Sequence, residues 1–448
     1  MGESRNSNFH KNLVNIALPV TLQSLLQSSF SVIDQVMIGQ LGSASIAGIG
    51  LGGKFASVYT VILGAVAAVA GIMAAQYAGA GNDKGLARSF YLNLLTGGVI
   101  AGIFMAVCGL FPGEVMSLYT EDREVRGVAA LYLRIYALSF LPMAASSMMS
   151  VILRCIGEAT APLLAGLLSV LLNTALNYVL IFGKAGFPAM GVRGAAIASV
   201  IAQAAAFVLT CLLFVKKIRK KGIEMPFDIR LAGRERIEYA AILAPILVCE
   251  LMWSLGENVY AAIYGRLGTW PCAAMTMTGP IQCLMIGALS GLSQAAGIMI
   301  GRLLGNEAYE QAYGDSKRLM GYGLAGSVML SVILLLTGRY YVMIYHVEPQ
   351  VQAIALQILL VFALVSPVKV QNMILSGGII RSGGMTRYVM WIDLIGTWLF
   401  GVPLGLLAAF VWKLQIPYVY FILSLEEVVR LLISLSFFRK KSWMRKLD

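Results

Sequence analysis

Long apolar segments are the feature of this 448-residue sequence that most restricts its fold. Val61–Met73, Leu94–Phe111 and Ser327–Leu336 contain no charged side chain. Runs that approach 20 residues indicate helices across a bilayer core about 30 Å thick, because a helix satisfies its own backbone hydrogen bonds there. Outer-membrane strands would alternate apolar and polar residues instead. With 58% hydrophobic and 12% charged residues, the composition indicates an integral membrane protein rather than a soluble or disordered chain.

Apolar runs separated by breaks that contain Gly, Pro and Asn predict twelve transmembrane helices. The predicted spans are 13–37, 46–76, 86–111, 127–153, 159–182, 191–215, 237–264, 272–303, 316–338, 350–379, 388–411 and 417–438. If both termini are cytoplasmic, the inner segments hold 23 of the 34 Lys and Arg residues and the outer loops hold 7. This excess of positive charge inside predicts a multi-pass protein of the plasma (inner) membrane with both termini cytoplasmic.

The sequence also contains an internal repeat, in which the second half aligns with the first in one fixed register. The matches at its breaks are Pro19 with Pro245, Gly79 with Gly305 and, after a one-residue shift, Arg154-x-x-Gly157 with Arg381-x-x-Gly384. Each copy contains six predicted helices, an even number, so both copies cross the membrane in the same direction as a parallel repeat. We therefore predict an all-α membrane fold of two pseudo-symmetric six-helix lobes, 1–215 and 237–448, joined by a basic cytoplasmic linker at 216–236.

The residues that would support other classes of function are scarce. With two histidines and no Cys-x-x-Cys pair, no zinc or haem site and no other cofactor is expected. No cluster of catalytic groups indicates an enzyme. The basic run Lys216–Lys221 is expected to face anionic membrane lipid rather than nucleic acid. Two lobes that move against each other are typical of transporters, and we expect a monomer.

Ionisable side chains inside predicted membrane helices cost about 2.5–3.5 kcal/mol or more and therefore indicate function. The polar face of the first helix consists of Gln23, Gln27, Ser31 and Asp34. This face must point into the helix bundle or a wet cavity. Lys54 lies near the outer start of the second helix, where an ion pair with Asp34 is geometrically possible.

Neutral oxygen-bearing side chains of the fifth and sixth helices are candidates to complete a site at Asp34. Asn173 and Asn177 lie one helical turn apart, and Ser199 follows small residues that allow close helix approach. Such oxygens beside a carboxylate suit a proton or a small cation. Hydrogen bonding between the helices, without any ligand, is the alternative interpretation.

The second half carries a different set of charges. Glu250 and Glu257 share one face of the seventh helix, and Lys369 lies at a similar depth to Glu250 on the tenth. An ion pair between Glu250 and Lys369 would offset the cost of burying each charge, so we predict a second-lobe charge network of these three residues. Trp253 and Tyr260, with Gln27 and Lys54 in the first lobe, are the predicted cavity-lining residues.

Three further charges of the second half favour structural interpretations. Glu426, Glu427 and Arg430 lie on one turn of the twelfth helix, at spacings that allow ion pairs along the helix. Asp393 lies near the cytoplasmic end of the eleventh helix and is expected to reach the membrane interface.

Several motifs occur in a fixed order along nearly the whole chain. They are Leu18-Pro19, Asp34-x-x-Met37-x-Gly39-x-Leu41-Gly42, Ala74-Ala75-Gln76-Tyr77-x-Gly79, Asn173-x-x-x-Asn177, Gly194-Ala195-Ala196-x-Ala198-Ser199, Pro367-x-Lys369-x-x-Asn372 and Arg381-Ser382-Gly383-Gly384. In this order they resemble the multidrug and toxic compound extrusion (MATE) family of prokaryotic type. The resemblance implies cation-coupled efflux of cationic or amphipathic organic compounds. It also implies that Asp34 carries the coupling cation beside Asn173, Asn177 and Ser199.

These observations predict a secondary active antiporter that exports cationic or amphipathic drugs in exchange for H+ or Na+ by alternating access. A proton is favoured, because Lys54 near Asp34 would compete with a metal ion, but Na+ at Asp34 stays open. Trp253 and Lys369 stand where some relatives have the acids of a second-lobe sodium site, which argues against that site here. The alternative function is a flippase for a lipid-linked precursor, which would need several cations in its cavity to bind pyrophosphate.

Overall fold

The computed structural model describes residues 2–39, 41, 43–227, 233–344 and 348–447, which fold almost entirely into helices. The helices of the first half are α1 (Gly2–Gly39), α2 (Ser43–Gly79), α3 (Asp83–Leu110), α4 (Pro112–Ser117), α5 (Arg123–Tyr136), α6 (Phe140–Cys155), α7 (Thr160–Phe182) and α8 (Val192–Lys221). Those of the second half are α9 (Gly233–Arg266), α10 (Thr269–Gly305), α11 (Tyr309–Met343), α12 (Pro349–Asn372), α13 (Thr386–Leu394), α14 (Val402–Leu406) and α15 (Ile416–Arg439). Three π-helical segments, Met373–Ile380, Ile395–Gly401 and Leu407–Val411, continue or join the helices α12 to α14.

Ten helical stretches within these described ranges are long and apolar enough to cross a membrane. Some combine shorter elements, such as Arg123–Cys155, which joins α5 and α6 through a single 3-10 turn. The helices at the two ends of the chain, α1 and α15, have 38 and 24 residues and are also long enough to cross. All twelve predicted spans lie on these helices, and the all-α membrane fold is confirmed.

The internal repeat is visible in the helix boundaries. In the register that aligns Pro19 with Pro245, both ends of α2 coincide with the ends of α10, and the start of α3 coincides with the start of α11. Pro19 and Pro245 each lie inside the first helix of their copy. The same breaks in the sequence therefore end the same helices in both halves of the chain.

The packing of the helices divides the chain into two compact units. We call Val14–Leu231 the N-terminal unit, and Ala232–Asp448 together with Met1–Leu13 the C-terminal unit. The start of α1 belongs to the latter because His10 Nε2 lies 2.7 Å from the hydroxyl of Tyr322 on α11, where Phe9 also stacks. The domain limits expected from the sequence, 1–215, 216–236 and 237–448, stay a prediction.

The C-terminal tail that follows α15 packs back onto the C-terminal unit. Trp443 is fully buried, its ring stacks on Phe438 at a centroid distance of 5.5 Å, and its indole N–H donates to the Phe438 carbonyl at 3.1 Å. A Cβ atom at Gly383 would overlap the Trp443 carbonyl oxygen. The turn after the π-helical segment Met373–Ile380 therefore requires glycine because the tail lies against it.

An ion pair joins the same tail to the turn that follows α10. Lys446 Nζ lies 2.6 Å from Glu307 Oε1. The hydrogen bond from Lys446, together with its charge, lowers the pKa of the Glu307 carboxyl. A carboxyl whose pKa is lowered by folding stabilises the fold at neutral pH, and this contribution is lost as the pH falls through the lowered pKa. Because Glu307 is exposed, the pair is a minor addition to the burial of Trp443.

We predict that Trp443→Ala destabilises the protein strongly, because removal of a fully buried aromatic side chain costs about 3–5 kcal/mol. Trp412→Ala is the matched control, since Trp412 is 53% exposed and its removal should change stability by no more than about 0.5 kcal/mol. Thermal unfolding of both purified variants in the same detergent measures the difference. Equal losses of stability in the two variants would contradict the packing described for the tail.

Candidate functional site

A network of charged side chains lies among the membrane-spanning helices of the C-terminal unit. Arg381 Nη1 lies 3.2 Å from Glu250 Oε1, and Arg381 Nη2 lies 3.9 Å from Asp393 Oδ2. The second oxygen of Asp393 lies 3.7 Å from Arg430 Nη1. Arg430 Nη2 in turn lies 3.4 Å from Glu426 Oε1. The carboxylate of Asp393 thus lies between two arginines that come from different helices.

The network continues along α15 towards α12. Glu427 Oε2 lies 4.0 Å from Arg430 Nη1, and Glu427 Oε1 lies 4.0 Å from Lys369 Nζ. Asn372 donates from Nδ2 both to the Glu427 carboxylate at 2.8 Å and to the Glu427 backbone carbonyl at 2.7 Å. The hydroxyl of Tyr260 donates to Glu426. Burial of such charges is costly, and these ion pairs and hydrogen bonds offset much of the cost.

Two π-helical segments determine which side chains reach the network. Asn372 and Arg381 stand immediately before and after the segment Met373–Ile380. Asp393 stands two residues before the segment Ile395–Gly401, which contains Thr397, the hydrogen-bond acceptor of Arg430. A π-helical turn holds more residues than an α-helical turn and is frequent at functional sites. It changes the direction in which the following side chains point relative to a spacing of 3.6 residues.

The structure corrects two expectations about these charges. Within the described residues Glu250 pairs with Arg381 and Lys369 with Glu427, so the predicted Glu250–Lys369 ion pair is wrong. Asp393, expected at the membrane interface, is held by both arginines instead. Sequence reasoning placed Arg381 only in a motif, although its alignment with Arg154 in the repeat was a signal that could have directed attention to it.

The ion pairs expected on one turn of α15 are present. Arg430 contacts Glu426 four residues before it and Glu427 three residues before it. A cavity of about 120 Å³ next to this turn is lined by Glu257, Tyr260 and Lys369 as well as the two glutamates. Trp253 is 48% exposed and is not among the residues that line this cavity. The parts that Glu257, Tyr260 and Trp253 play in function stay predictions.

The N-terminal unit contains a larger cavity of about 500 Å³. Gln27, Asn173 and Ser199 line it, as do other polar side chains of α1, α6, α7 and α8. Asn173 Nδ2 donates to Ser199 Oγ at 3.2 Å, and Asn177 Nδ2 donates to Asn173 Oδ1 at 3.2 Å. The structure therefore brings these three predicted residues into one hydrogen-bonded chain beside the cavity.

Asp34 and Lys54 are the two remaining residues predicted for this site. Asp34 lies on α1, but its side chain is outside the residues that the structure describes, as is that of Ser31. Lys54 on α2 is exposed. The Asp34–Lys54 ion pair and the role of Asp34 therefore stay predictions.

Two repeated units of membrane-spanning helices, one with a polar cavity and one with a buried charge network, define a transporter of the two-lobed helical class. A comparison with known families gives the family directly. The MatE family model matches residues 19–179 and 245–407, which is once in each half of the chain. The chain belongs to the MatE family, the MATE efflux transporters.

Known proteins and solved structures are similar to this chain over nearly its whole length. The chain is 24% identical over 440 residues to the probable multidrug resistance protein NorM of Thermotoga maritima, which covers 97% of this chain and 93% of that protein. A MATE crystal structure superposes with a TM-score of 0.88 at 16% identity over 98% of this chain and 97% of that one. The MATE transporter VcmN of Vibrio cholerae, solved as a mutant, gives a TM-score of 0.88 at 17% identity over 98% of this chain and 99% of that one.

We predict that stability measurements will distinguish the pairs of the charge network. Arg381→Gln leaves Glu250 without its ion-pair partner, whereas Glu250→Gln leaves Arg381 with Asp393 alone. Because the two side chains contact each other, Glu250→Gln and Arg381→Gln should be non-additive, with a coupling of about 1 kcal/mol or more. Glu250→Gln and Lys369→Met, which lie at opposite ends of the network and form no ion pair, should couple more weakly than Glu250→Gln and Arg381→Gln. Thermal unfolding in detergent of the single and double variants provides both cycles. Strong coupling in the second cycle, with none in the first, would restore the Glu250–Lys369 pair.

Proposed function

We propose that this protein is a secondary active antiporter of the plasma membrane that exports cationic or amphipathic organic compounds in exchange for H+ by alternating access. Both termini are cytoplasmic in this proposal, and the protein acts as a monomer. The similarity to a probable multidrug resistance protein of Thermotoga maritima supports drug-like substrates. Na+ is the second candidate for the coupling ion.

The proposal of ion coupling rests on the charge balance of the C-terminal network. Among the described residues it holds four carboxylates, Glu250, Asp393, Glu426 and Glu427, against three cations, Arg381, Arg430 and Lys369. Glu257, exposed at the wall of the adjacent cavity, adds to the negative excess. Unbalanced charge among membrane helices is costly. A bound proton would reduce the excess, and its release would restore it, which links protonation to the stability of one conformation over another.

The same network supports a proton over a sodium ion in this unit. Lys369 Nζ lies 4.0 Å from Glu427, where its positive charge would repel a metal ion at the carboxylates. A sodium ion would need several oxygen ligands at once. The Glu427 carboxylate already accepts a hydrogen bond from the side-chain amide of Asn372. A single proton needs only one carboxylate oxygen.

In the N-terminal unit we assign the proton-carrying role to Asp34, with Asn173, Asn177 and Ser199 as its polar neighbours. The hydrogen-bonded chain of the three neutral side chains lies along one wall of the large cavity and supports this assignment. A carboxyl in a helix bundle is readily protonated because burial disfavours its charged form.

The antiporter is favoured over a flippase for lipid-linked precursors. A flippase would need several cations to bind a pyrophosphate group, because that group carries several negative charges. The described lining of the large cavity contains one cationic residue, Arg154. One arginine matches a single acidic group and not a pyrophosphate.

We predict that Asp34→Asn abolishes gradient-driven dye export without loss of folded protein, because an amide cannot release a proton. The measurement is the uptake of a fluorescent amphipathic dye from the medium into everted membrane vesicles whose lumen is acidic. Asp122→Asn is the matched control, since Asp122 caps a helix on the surface and Asn caps equally well. Wild-type export rates for Asp34→Asn, at equal amounts of protein in the membrane, would refute the role of Asp34.

We predict further that a proton gradient alone drives export in proteoliposomes free of sodium. A sodium gradient at equal pH on both sides should give no export above the background of empty liposomes. Export that collapses when sodium is removed at a constant pH gradient would identify Na+ as the coupling ion instead.

A further inference from the structure

Arg154 and Arg381 occupy matching positions of the internal repeat but have opposite surroundings. Arg381 is neutralised by Glu250 at 3.2 Å and by Asp393 at 3.9 Å. Arg154, in the last turn of α6, forms no ion pair and no side-chain hydrogen bond with any residue that the structure describes. Both halves of the chain therefore have an arginine at the matching position. Among the described residues, only the second half has carboxylates paired with that arginine.

The side chain of Arg154 borders the large cavity of the N-terminal unit. A guanidinium stays charged at physiological pH and carries five N–H donors in a planar fork. Left without a partner among membrane helices, such a group is costly unless water or a ligand satisfies its donors. The cavity provides the space for that partner, about 500 Å³.

Neutral hydrogen-bonding groups make up much of the remaining wall. Seven of them have no hydrogen-bond partner within the described part of the chain, namely Gln23, Gln27, Gln203, Ser146, Ser147, Ser150 and Ser169. Ser150 and Ser147 lie one and two helical turns before Arg154 and share its face of α6. Free carboxamides and hydroxyls can hydrogen-bond a ligand but offer no charge to a cation.

The described lining contains few of the groups that select lipophilic cations. Its described residues include one aromatic, Tyr136, and no carboxylate. Cations are held by aromatic faces and acids, whereas a planar guanidinium suits a carboxylate, which it can bind through two parallel hydrogen bonds. Asp34 lies five residues before the end of α1, whereas Arg154 ends a helix that returns to the side where α1 starts. The backbone positions of Asp34 and Arg154 are therefore near opposite ends of the membrane-spanning helices.

We propose that the cavity of the N-terminal unit takes amphipathic organic acids and zwitterions, with the carboxylate of the ligand bound to Arg154. The neutral side chains of the wall hydrogen-bond the remaining polar groups of the ligand. This inference rests on the proposed function, because the ligand is the exported compound, and it narrows the class of that compound.

Two dyes that differ only at the relevant group provide the test. Rhodamine B and its ethyl ester share a cationic ring system, and only rhodamine B has a free carboxylate. Fluorescence polarisation with purified protein in nanodiscs, with no ion gradient, measures their affinities. Wild type should bind the acid about tenfold or more tightly than the ester, since a hydrogen bond to a charged group contributes about 1.5–3 kcal/mol.

Three variants test whether the preference for the acid depends on Arg154. Arg154→Gln should abolish the preference for the acid by weakening acid binding alone. Arg154→Lys, which keeps the charge without the planar fork, should reduce the preference and serves if the glutamine variant does not fold. Arg193→Gln is the matched control, because Arg193 is an exposed arginine outside the cavity lining, and it should bind both dyes as wild type does.

The outcomes separate this inference from the antiporter proposal. Equal binding of acid and ester by wild type, or an unchanged preference in both Arg154 variants, would overturn the inference. Gradient-driven export of the ester in proteoliposomes would then still support the antiporter. An acid preference that depends on Arg154, without export under any ion gradient, would uphold the inference and refute the antiporter.

Discussion

The cost of charge among membrane-spanning helices is the constraint on which the rest of this structure depends. In the C-terminal unit the carboxylate of Asp393 lies between Arg381 and Arg430 and so holds α13, α15 and the turn at Arg381 to one another. Removal of Arg381 would leave Glu250 without its ion-pair partner in a medium of low dielectric constant. The proton coupling that we propose depends on this same pairing of charges.

The two copies of the repeat keep one helical frame but differ in chemistry. Both ends of α2 and the start of α3 recur in register in α10 and α11, because the same glycines and polar breaks bound the helices. The side chains between these boundaries have diverged. Charge is paired within the C-terminal unit, whereas the described part of the N-terminal unit leaves one guanidinium and several carboxamides at a cavity that a ligand can enter.

Local spacing was a reliable guide to contacts within one helix and a poor guide across helices. The Arg430 pairs with Glu426 and Glu427 follow from positions three and four residues apart on a regular helix. Glu250 and Lys369 were matched by depth alone, and an error of a few residues in a helix boundary is enough to change the partner. The π-helical segment after Asn372 adds a further change of direction, which brings Arg381 to Glu250.

The sequence by itself determined the membrane location, the twelve helices, the repeat and the family, because these depend on apolar length, breakers and motif order along the chain. It also identified Asn173, Asn177 and Ser199 as neighbours, since one-turn spacing and small residues imply a close helix pair. Only the tertiary structure decided which charges form ion pairs and that Trp443 packs against Gly383. It also decided that Arg154 has no ion-pair partner among the described residues. Those outcomes depend on the rotation and depth of each helix, which packing sets and which a pattern along one chain does not record.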